Sequence, residues 1–174
     1  MTWQRGSMTY ESEITLWSNM IFECLKNNGL IVGAGNGGSW SQIDHFLSEL
    51  SPFCSSFGGL VVSLSTQCAF SAIANDIGFD CSYSAQLGKV ACPSILVALS
   101  TSGNSKNIVE LARTAKLNDY TIMVATGTGG GKLKSFADVW FESKHHEVAM
   151  AQEDHLHFLH KVADKIRYMR GLNG

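Results

Sequence analysis

The chain has 174 residues, of which 45% are hydrophobic and 16% are charged. This length and composition suit one globular domain with a sizeable core, and they exclude an intrinsically disordered chain. The formal net charge of -2 gives no reason to expect a nucleic-acid surface, and no apolar run is long enough to span a membrane. Five scattered cysteines without a CxxC pair, and no secretory signal, predict a cytoplasmic protein with reduced thiols.

Short apolar runs alternate with amphipathic helical patterns along the chain. The predicted helices cover residues 10–27, 39–50, 66–74, 106–117 and 152–169. The predicted strands cover residues 30–32, 60–64, 94–99, 121–125 and 139–141. Residues 51–59 and 75–80 are predicted as turns or loops, and 81–91 is ambiguous, with a helix as one option. This alternation predicts an α/β fold: a three-layer sandwich whose five-stranded, mostly parallel sheet is covered by helices on both faces.

A glycine-rich turn follows the first predicted strand and leads into a helix that begins near Ser39. Residues 33–38 contain the pattern G-x-G-x-x-G. A strand, a glycine-rich turn and a helix N-terminus together favour anion binding by backbone N–H groups. A dinucleotide site would also need an acidic residue at the end of the second strand, and residues 60–65 contain none. Without that acid, and without the Lys-Ser/Thr pair of a P-loop, the turn predicts a phosphate site rather than a nucleotide site.

A second polar loop, S-T-S-G-N-S at 100–105, lies between the third strand and the next helix. Its four hydroxyls can donate hydrogen bonds to phosphate oxygens, although serine and threonine also cap helices without any ligand. Since both loops follow strands of one parallel sheet, together they favour a phosphate site more than either does alone.

Histidines and a glutamate supply candidates for proton chemistry. His45 and Glu49 are four residues apart on one predicted helix, so their side chains lie about 6 Å apart on one side. Such a pair is either a surface ion pair or part of a site. On the last helix, His155 and His157 are expected to be partly exposed, and His160 half-buried beside the apolar stripe.

Five motifs resemble, in order and with compatible spacing, those of phosphoheptose isomerases: GAGNGGS, HFLSEL, ANDIGF, STSGNS and QEDHLHFLH. The resemblance implies a flavodoxin-like sugar-isomerase (SIS) domain over residues 29–174, after an N-terminal helix in 1–28 that is shorter than in the family. It also implies conversion of sedoheptulose 7-phosphate to D-glycero-D-manno-heptose 7-phosphate, the first step toward ADP- or GDP-heptose precursors. The family forms homotetramers with active sites at subunit contacts.

The resemblance also implies roles for individual residues. The phosphate-binding hydroxyls would be Ser39, Ser100, Thr101, Ser102 and Ser105. The remaining substrate-binding residues would be Asn36, Gly37, Gly38, Asn75, Asp76 and Gln152. Glu49 would be the general base and His160 the general acid, which suits a reaction that moves protons through an enediol. His45, Glu49, Gln152 and His160 would bind one Zn²⁺ per subunit, which would polarise the substrate's oxygens.

Helix geometry restricts this zinc site. Gln152 and His160 are eight residues apart, or about 12 Å along one regular helix, so both cannot reach one ion from there. Either Gln152 precedes the helix, or the two residues come from different subunits.

Three positions depart from the family pattern. Trp40, Phe53 and Ala149 stand where histidine, arginine and aspartate are usual. Isomerisation of another sugar phosphate is therefore an open alternative. A second alternative is a non-catalytic SIS-domain protein that binds the replication initiator DnaA, because the stretch AIAND at 72–76 resembles that relative. That relative lacks the glutamate that this chain keeps as Glu49.

Overall fold

The computed structural model describes residues 8–171, which form a parallel sheet flanked by helices. The helices are α1 (Tyr10–Lys26), α2 (Gly38–Phe57), α3 (Gln67–Asp76), α4 (Lys106–Leu117) and α5 (Val148–Met169). The strands are β1 (Leu30–Gly35), β2 (Leu60–Ser63), β3 (Ser94–Ser100), β4 (Thr121–Thr126) and β5 (Val139–Glu142). Short 3-10 helices lie at Phe79–Cys81, Ser84–Gln86 and Leu133–Phe136.

The five strands are all parallel and follow the order β2-β1-β3-β4-β5. Leu30 of β1, for example, lies opposite Leu60 on one side and Ser94 on the other. This order is the flavodoxin-like one, and it confirms the predicted three-layer α/β fold.

Two apolar cores cover the two faces of the sheet. On one face α1, α2 and α5 pack over the strands, with Trp17, Phe46 and Phe158 fully buried. On the other face α4 packs through residues such as Ile108 and Leu111. Burial on both faces explains why the central strands are continuous apolar runs rather than alternating ones.

Helix α2 is longer than the sequence pattern predicts. It continues to Phe57 through the segment that was expected to be a turn, and Pro52 lies inside it. Two observations account for this: Phe53 is 1% exposed and continues the apolar face of the helix, while Pro52 is exposed. Proline leaves the carbonyl of Ser48, four residues earlier, without its helical donor, and Ser48 is exposed so that water can hydrate it.

Three further expectations are corrected by the structure. Helix α5 begins at Val148 rather than at Gln152; the sequence pattern missed this first turn because its side chains Val148 and Met150 are exposed and do not continue the apolar stripe. Residues 81–91 form no α-helix; 3-10 turns occupy part of the segment. His155 is fully buried rather than partly exposed.

The edge strand β2 and helix α3 leave apolar groups uncovered. Leu60 is 63% exposed and Val62 is 41% exposed, and none of the residues of α3 is buried. The sheet is therefore not fully covered on both faces at this edge. Among the described residues, no helix is both long and apolar enough to span a membrane.

Candidate active site

The two polar loops meet at the carboxyl edge of the sheet, where β1 and β3 are neighbours. The chain leaves β1 into α2 on one face and leaves β3 into α4 on the other. A crevice opens where neighbouring strands connect to opposite faces, and ligands of such sheets bind there. Helices α2 and α4 both begin at this crevice, and the backbone N–H groups at their N-termini favour binding of a phosphate group.

A reciprocal pair of asparagines joins the glycine-rich turn to the first turn of α4. Asn36 Nδ2 donates to Asn107 Oδ1 at 2.8 Å, and Asn107 Nδ2 donates to Asn36 Oδ1 at 2.9 Å. Asn107 is fully buried and also donates to Ser82 Oγ at 3.3 Å. Asn36 thus holds the glycine-rich turn against the start of α4, a role that the sequence did not reveal, and Asn107 was not among the predicted site residues.

The predicted phosphate-binding hydroxyls differ in accessibility. Ser39 and Ser100 are buried, and Ser100 Oγ donates to Ser105 Oγ at 3.2 Å. Ser102 is exposed, and its Oγ accepts from the N–H of Asn104 at 3.1 Å. The loop that carries Thr101, Ser102 and Ser105 ends at the first residue of α4.

Asn75 and Asp76 lie at the carboxyl end of α3 and are exposed. Their side chains bond to each other, with Asn75 Nδ2 donating to Asp76 Oδ1 at 2.8 Å. Their contact with a sugar stays a prediction from the family motif.

A second cluster lies where α2 packs beside α5. His45, Glu49 and His160 each offer one donor atom, and these atoms lie within 4.8 Å of one another. The two Nε2 atoms of His45 and His160 are 3.0 Å apart, and His45 Nε2 is 4.0 Å from Glu49 Oε2. The structure thus joins the His/Glu pair of α2 to a histidine 115 residues further along the chain.

The two carboxylate oxygens of Glu49 have different surroundings. Oε1 accepts a hydrogen bond from Arg167 Nη2 at 2.8 Å. Oε2 is buried and has no hydrogen-bond partner among the described residues. The bond to Glu49 is the main reason that the pKa of Arg167 rises above its ordinary value. Sequence reasoning missed Arg167, although it lies two helical turns after His160 and therefore on the same side of α5.

Two imidazole nitrogens and one carboxylate oxygen could hold a metal ion. A His₂Glu set is a known catalytic zinc arrangement, which leaves a further coordination position open. The unpartnered Oε2 of Glu49, pointing at the two histidines, fits this interpretation because buried polar atoms in proteins normally have a partner.

Gln152 of α5 lies away from this cluster, beside the first residues of α2. An added Cβ on Gly38 would come within 2.6 Å of Gln152 Oε1, and Gln42 Nε2 donates to the Gln152 carbonyl at 2.6 Å. Gln152 is inside α5, so the first of the two expected explanations, that Gln152 precedes the helix, is wrong. It is therefore about 12 Å along the helix from His160 of the same chain.

The three departures from the family pattern have distinct environments. Trp40 Nε1 donates to Asp44 Oδ2 at 2.6 Å, and its ring packs on Phe70 with centroids 5.7 Å apart. Phe53 is a buried core residue, and Ala149 is exposed in the first turn of α5.

Comparison with known proteins shows which family this chain is similar to. The SIS domain family model matches residues 2–127. Phosphoheptose isomerase of Campylobacter concisus is 34% identical over 158 residues, which cover 88% of this chain and 83% of that protein. The structure of the Neisseria gonorrhoeae phosphoheptose isomerase matches with a TM-score of 0.81 and 34% identity, over 90% of this chain and 85% of that one. The structure of a Francisella tularensis phosphoheptose isomerase matches with a TM-score of 0.79 and 28% identity, over 88% of this chain and 84% of that one.

Similarity at this level, over most of both chains, goes beyond a shared fold. The protein is a sugar-phosphate isomerase with an SIS domain. Within that class, the chain belongs to the phosphoheptose isomerase family, as its motifs predicted. These matches disfavour the alternative of a non-catalytic DnaA-binding protein.

Proposed function

We propose that this protein converts sedoheptulose 7-phosphate to D-glycero-D-manno-heptose 7-phosphate, the first step toward ADP- or GDP-heptose precursors. The observation that carries the proposal is the carboxylate of Glu49. Its Oε2 has no hydrogen-bond partner among the described residues and lies beside His45 and His160, and its own helix, α2, begins at a phosphate-type loop. A carboxylate oxygen in that state is available to take up a proton.

The reaction moves the carbonyl from C2 to C1 through an enediol. Glu49 takes the proton from C1 and returns it to C2, and no net proton is gained or lost. His160 transfers a proton between the two oxygens, a role that positioned histidines commonly take in general acid–base catalysis. The 3.0 Å contact between His160 and His45 Nε2 supports this role, because it holds the His160 ring beside Glu49.

The phosphate would bind in the crevice between β1 and β3. The hydroxyls of Ser39, Ser100, Thr101, Ser102 and Ser105 and the backbone of Gly37 and Gly38 would hold its oxygens. The amide of Gln152, next to Gly38, would contact the sugar, as would Asn36, Asn75 and Asp76. Ser39 lies in the first turn of α2, and Ser100 at the end of β3 donates to Ser105, the residue before α4; both positions support this assignment.

The metal proposed for the His45–Glu49–His160 cluster is Zn²⁺, one per subunit. When bound, the ion would act as a Lewis acid on the substrate's oxygens. Gln152 can complete this ligand set only from a neighbouring copy of the chain, since its own helix separates it from His160 by about 12 Å.

We further propose a homotetramer with active sites at subunit contacts, acting in the cytoplasm. The exposed Leu60 and Val62 on β2, and helix α3 without a buried residue, offer apolar surface for such contacts. The free cysteines suit a reducing compartment. Mass measurement in solution tests the assembly: a monomer at working concentration would contradict it.

The activity test is incubation with sedoheptulose 7-phosphate, with and without added Zn²⁺, followed by measurement of the aldose phosphate. In Glu49→Gln, turnover should fall by about 10²–10⁴-fold, because an amide cannot accept the proton. Glu110→Gln, on α4 away from the cluster, is the matched control and should keep wild-type turnover. Circular dichroism should show that both variants are folded.

The outcomes separate the remaining alternatives. Near-full activity in Glu49→Gln would contradict the assigned base. A higher rate with a six-carbon ketose phosphate than with the seven-carbon substrate would favour isomerisation of another sugar phosphate.

A further inference from the structure

Arg167 connects α5 to the carboxylate of Glu49. Its Nη2 donates to Glu49 Oε1 at 2.8 Å, and its Nη1 donates to Asp164 Oδ1 at 2.6 Å. Both terminal nitrogens of the guanidinium are therefore hydrogen-bonded, Nη1 to a residue of its own helix and Nη2 to a residue of α2. The side chains of Arg167 and Glu49 are only 33% and 16% exposed, so water screens this ion pair less than it would a surface pair.

The hydrogen bond to Oε1 decides which oxygen of Glu49 is free. The terminal torsion of a glutamate is broad, so a carboxylate without a fixed partner samples many orientations. With Oε1 bonded to Arg167, Oε2 is left buried and without a hydrogen bond, 4.0 Å from His45 Nε2. Leaving a buried charge without compensation is costly, so without the guanidinium Glu49 would rotate toward water.

We infer that Arg167 is a positioning residue: it anchors one oxygen of Glu49 so that the other faces the two histidines. The inference rests on the proposed function of Glu49 as base and metal ligand. Hydrogen bonds to carboxylates that ligate metals fix their orientation, and their loss typically costs about 10–100-fold in metal affinity or activity.

The chain supplies a matched control three residues later. Arg170 also bonds to α2, through the carbonyl of Pro52 at 3.2 Å and through Ser56 Oγ, and its guanidinium lies 5.3 Å from the Phe53 ring centroid. It has the same charge and joins the same two helices, but its contacts on α2 are with these residues rather than with the cluster. Loss of Arg170 thus reproduces the loss of a helix–helix contact without the loss of the Glu49 anchor.

The experiment compares Arg167→Ala, Arg167→Lys and Arg170→Ala with the wild type. Zn²⁺ affinity of each metal-free protein is measured by competition with a colorimetric chelator, and kcat and KM are measured with sedoheptulose 7-phosphate. We expect Arg167→Ala to bind Zn²⁺ about 10–100-fold more weakly and to lose kcat with little change in KM. Arg167→Lys should recover part of both losses, and Arg170→Ala should match the wild type.

The inference would be overturned if Arg167→Ala had the same Zn²⁺ affinity and the same kcat as Arg170→Ala. Tighter zinc binding in Arg167→Ala would also overturn it, because the guanidinium would then oppose the ion rather than position its ligand. The affinity measurement needs no substrate. If the wild type isomerises nothing while the zinc affinities differ as expected, the proposed function fails and the positioning role of Arg167 stands.

Discussion

Gly103 lies in the second polar loop and contacts the loop after β4 backbone to backbone. Its φ is +62°, and a Cβ added there would lie 2.0 Å from the Gly130 carbonyl oxygen. The carbonyl of Gly103 in turn accepts from the N–H of Leu133 at 2.9 Å, which fixes the two loops against each other. Gly129 has a φ of +90°, but an added Cβ would meet no atom within 4 Å. Substitution of Gly129 therefore tests backbone strain alone, whereas substitution of Gly103 tests backbone strain and steric clash together.

Gly129→Ala should lower the free energy of unfolding by about 1–2 kcal/mol, the cost of a left-handed conformation for an L-residue. Gly103→Ala adds an overpacking term of about 1–3 kcal/mol, because a backbone carbonyl cannot move aside as a side chain can. With an m-value of about 2 kcal/mol/M, its urea midpoint should lie about 0.5–1.5 M below that of Gly129→Ala. Separation of the loops should also raise KM for the sugar phosphate. Equal urea midpoints for the two variants would refute this reasoning.

Two further predictions concern buried or strongly bonded side chains. Burial lowers the pKa of His155, against weaker opposing effects from the Thr126 backbone and Asp154. Keeping this histidine neutral therefore costs the folded protein nothing above the ordinary pKa of about 6.5, and stability is lost as the pH falls from there toward the lowered pKa of the folded state. His155→Leu should therefore lose less stability than the wild type between pH 7 and pH 5 in urea titrations; parallel losses would contradict this. Trp40→Phe removes the 2.6 Å hydrogen bond to Asp44, which should cost about 1 kcal/mol and lower Tm by about 2–4 °C; an unchanged Tm would show that the bond contributes nothing.

The sequence predicted the sheet and most helices because each depends on local periodicity. The apolar runs of the central strands are buried on both faces, and such runs are recognisable without knowledge of the fold. Local signals also explain the errors. Residues 51–59 were predicted as a turn or loop, whereas the position of Pro52 on the exposed face of α2 lets the helix continue to Phe57. The burial of His155 had a signal in the chain, because it shares a helical stripe with Ala151, Phe158 and Val162.

The candidate site was predictable to the extent that it repeats a motif. His45 and Glu49 are neighbours on one helix, so their spacing alone brings them together. His160 joined them in the prediction only through the family resemblance, since helix packing between α2 and α5 creates the contact. Arg167 and Asn107 belong to no motif. Their partners, Glu49 and Asn36, are 118 and 71 residues away, and only tertiary structure brings such residues together.

The parallel packing of α2 and α5 explains why one helix pair can carry both binding and proton transfer. The hydrogen bonds and ring-nitrogen contacts between them follow the same order along both helices: Gln42 with Gln152, His45 with His160, Glu49 with Arg167, and Pro52 with Arg170. Phe46, Leu50, Leu159 and Val162 are fully or nearly fully buried beneath these contacts. Close-packed cores resist a slide of one helix along the other. The apolar residues therefore set the register that keeps His45 and Glu49 of α2 beside His160 and Arg167 of α5, although none of them takes part in the chemistry.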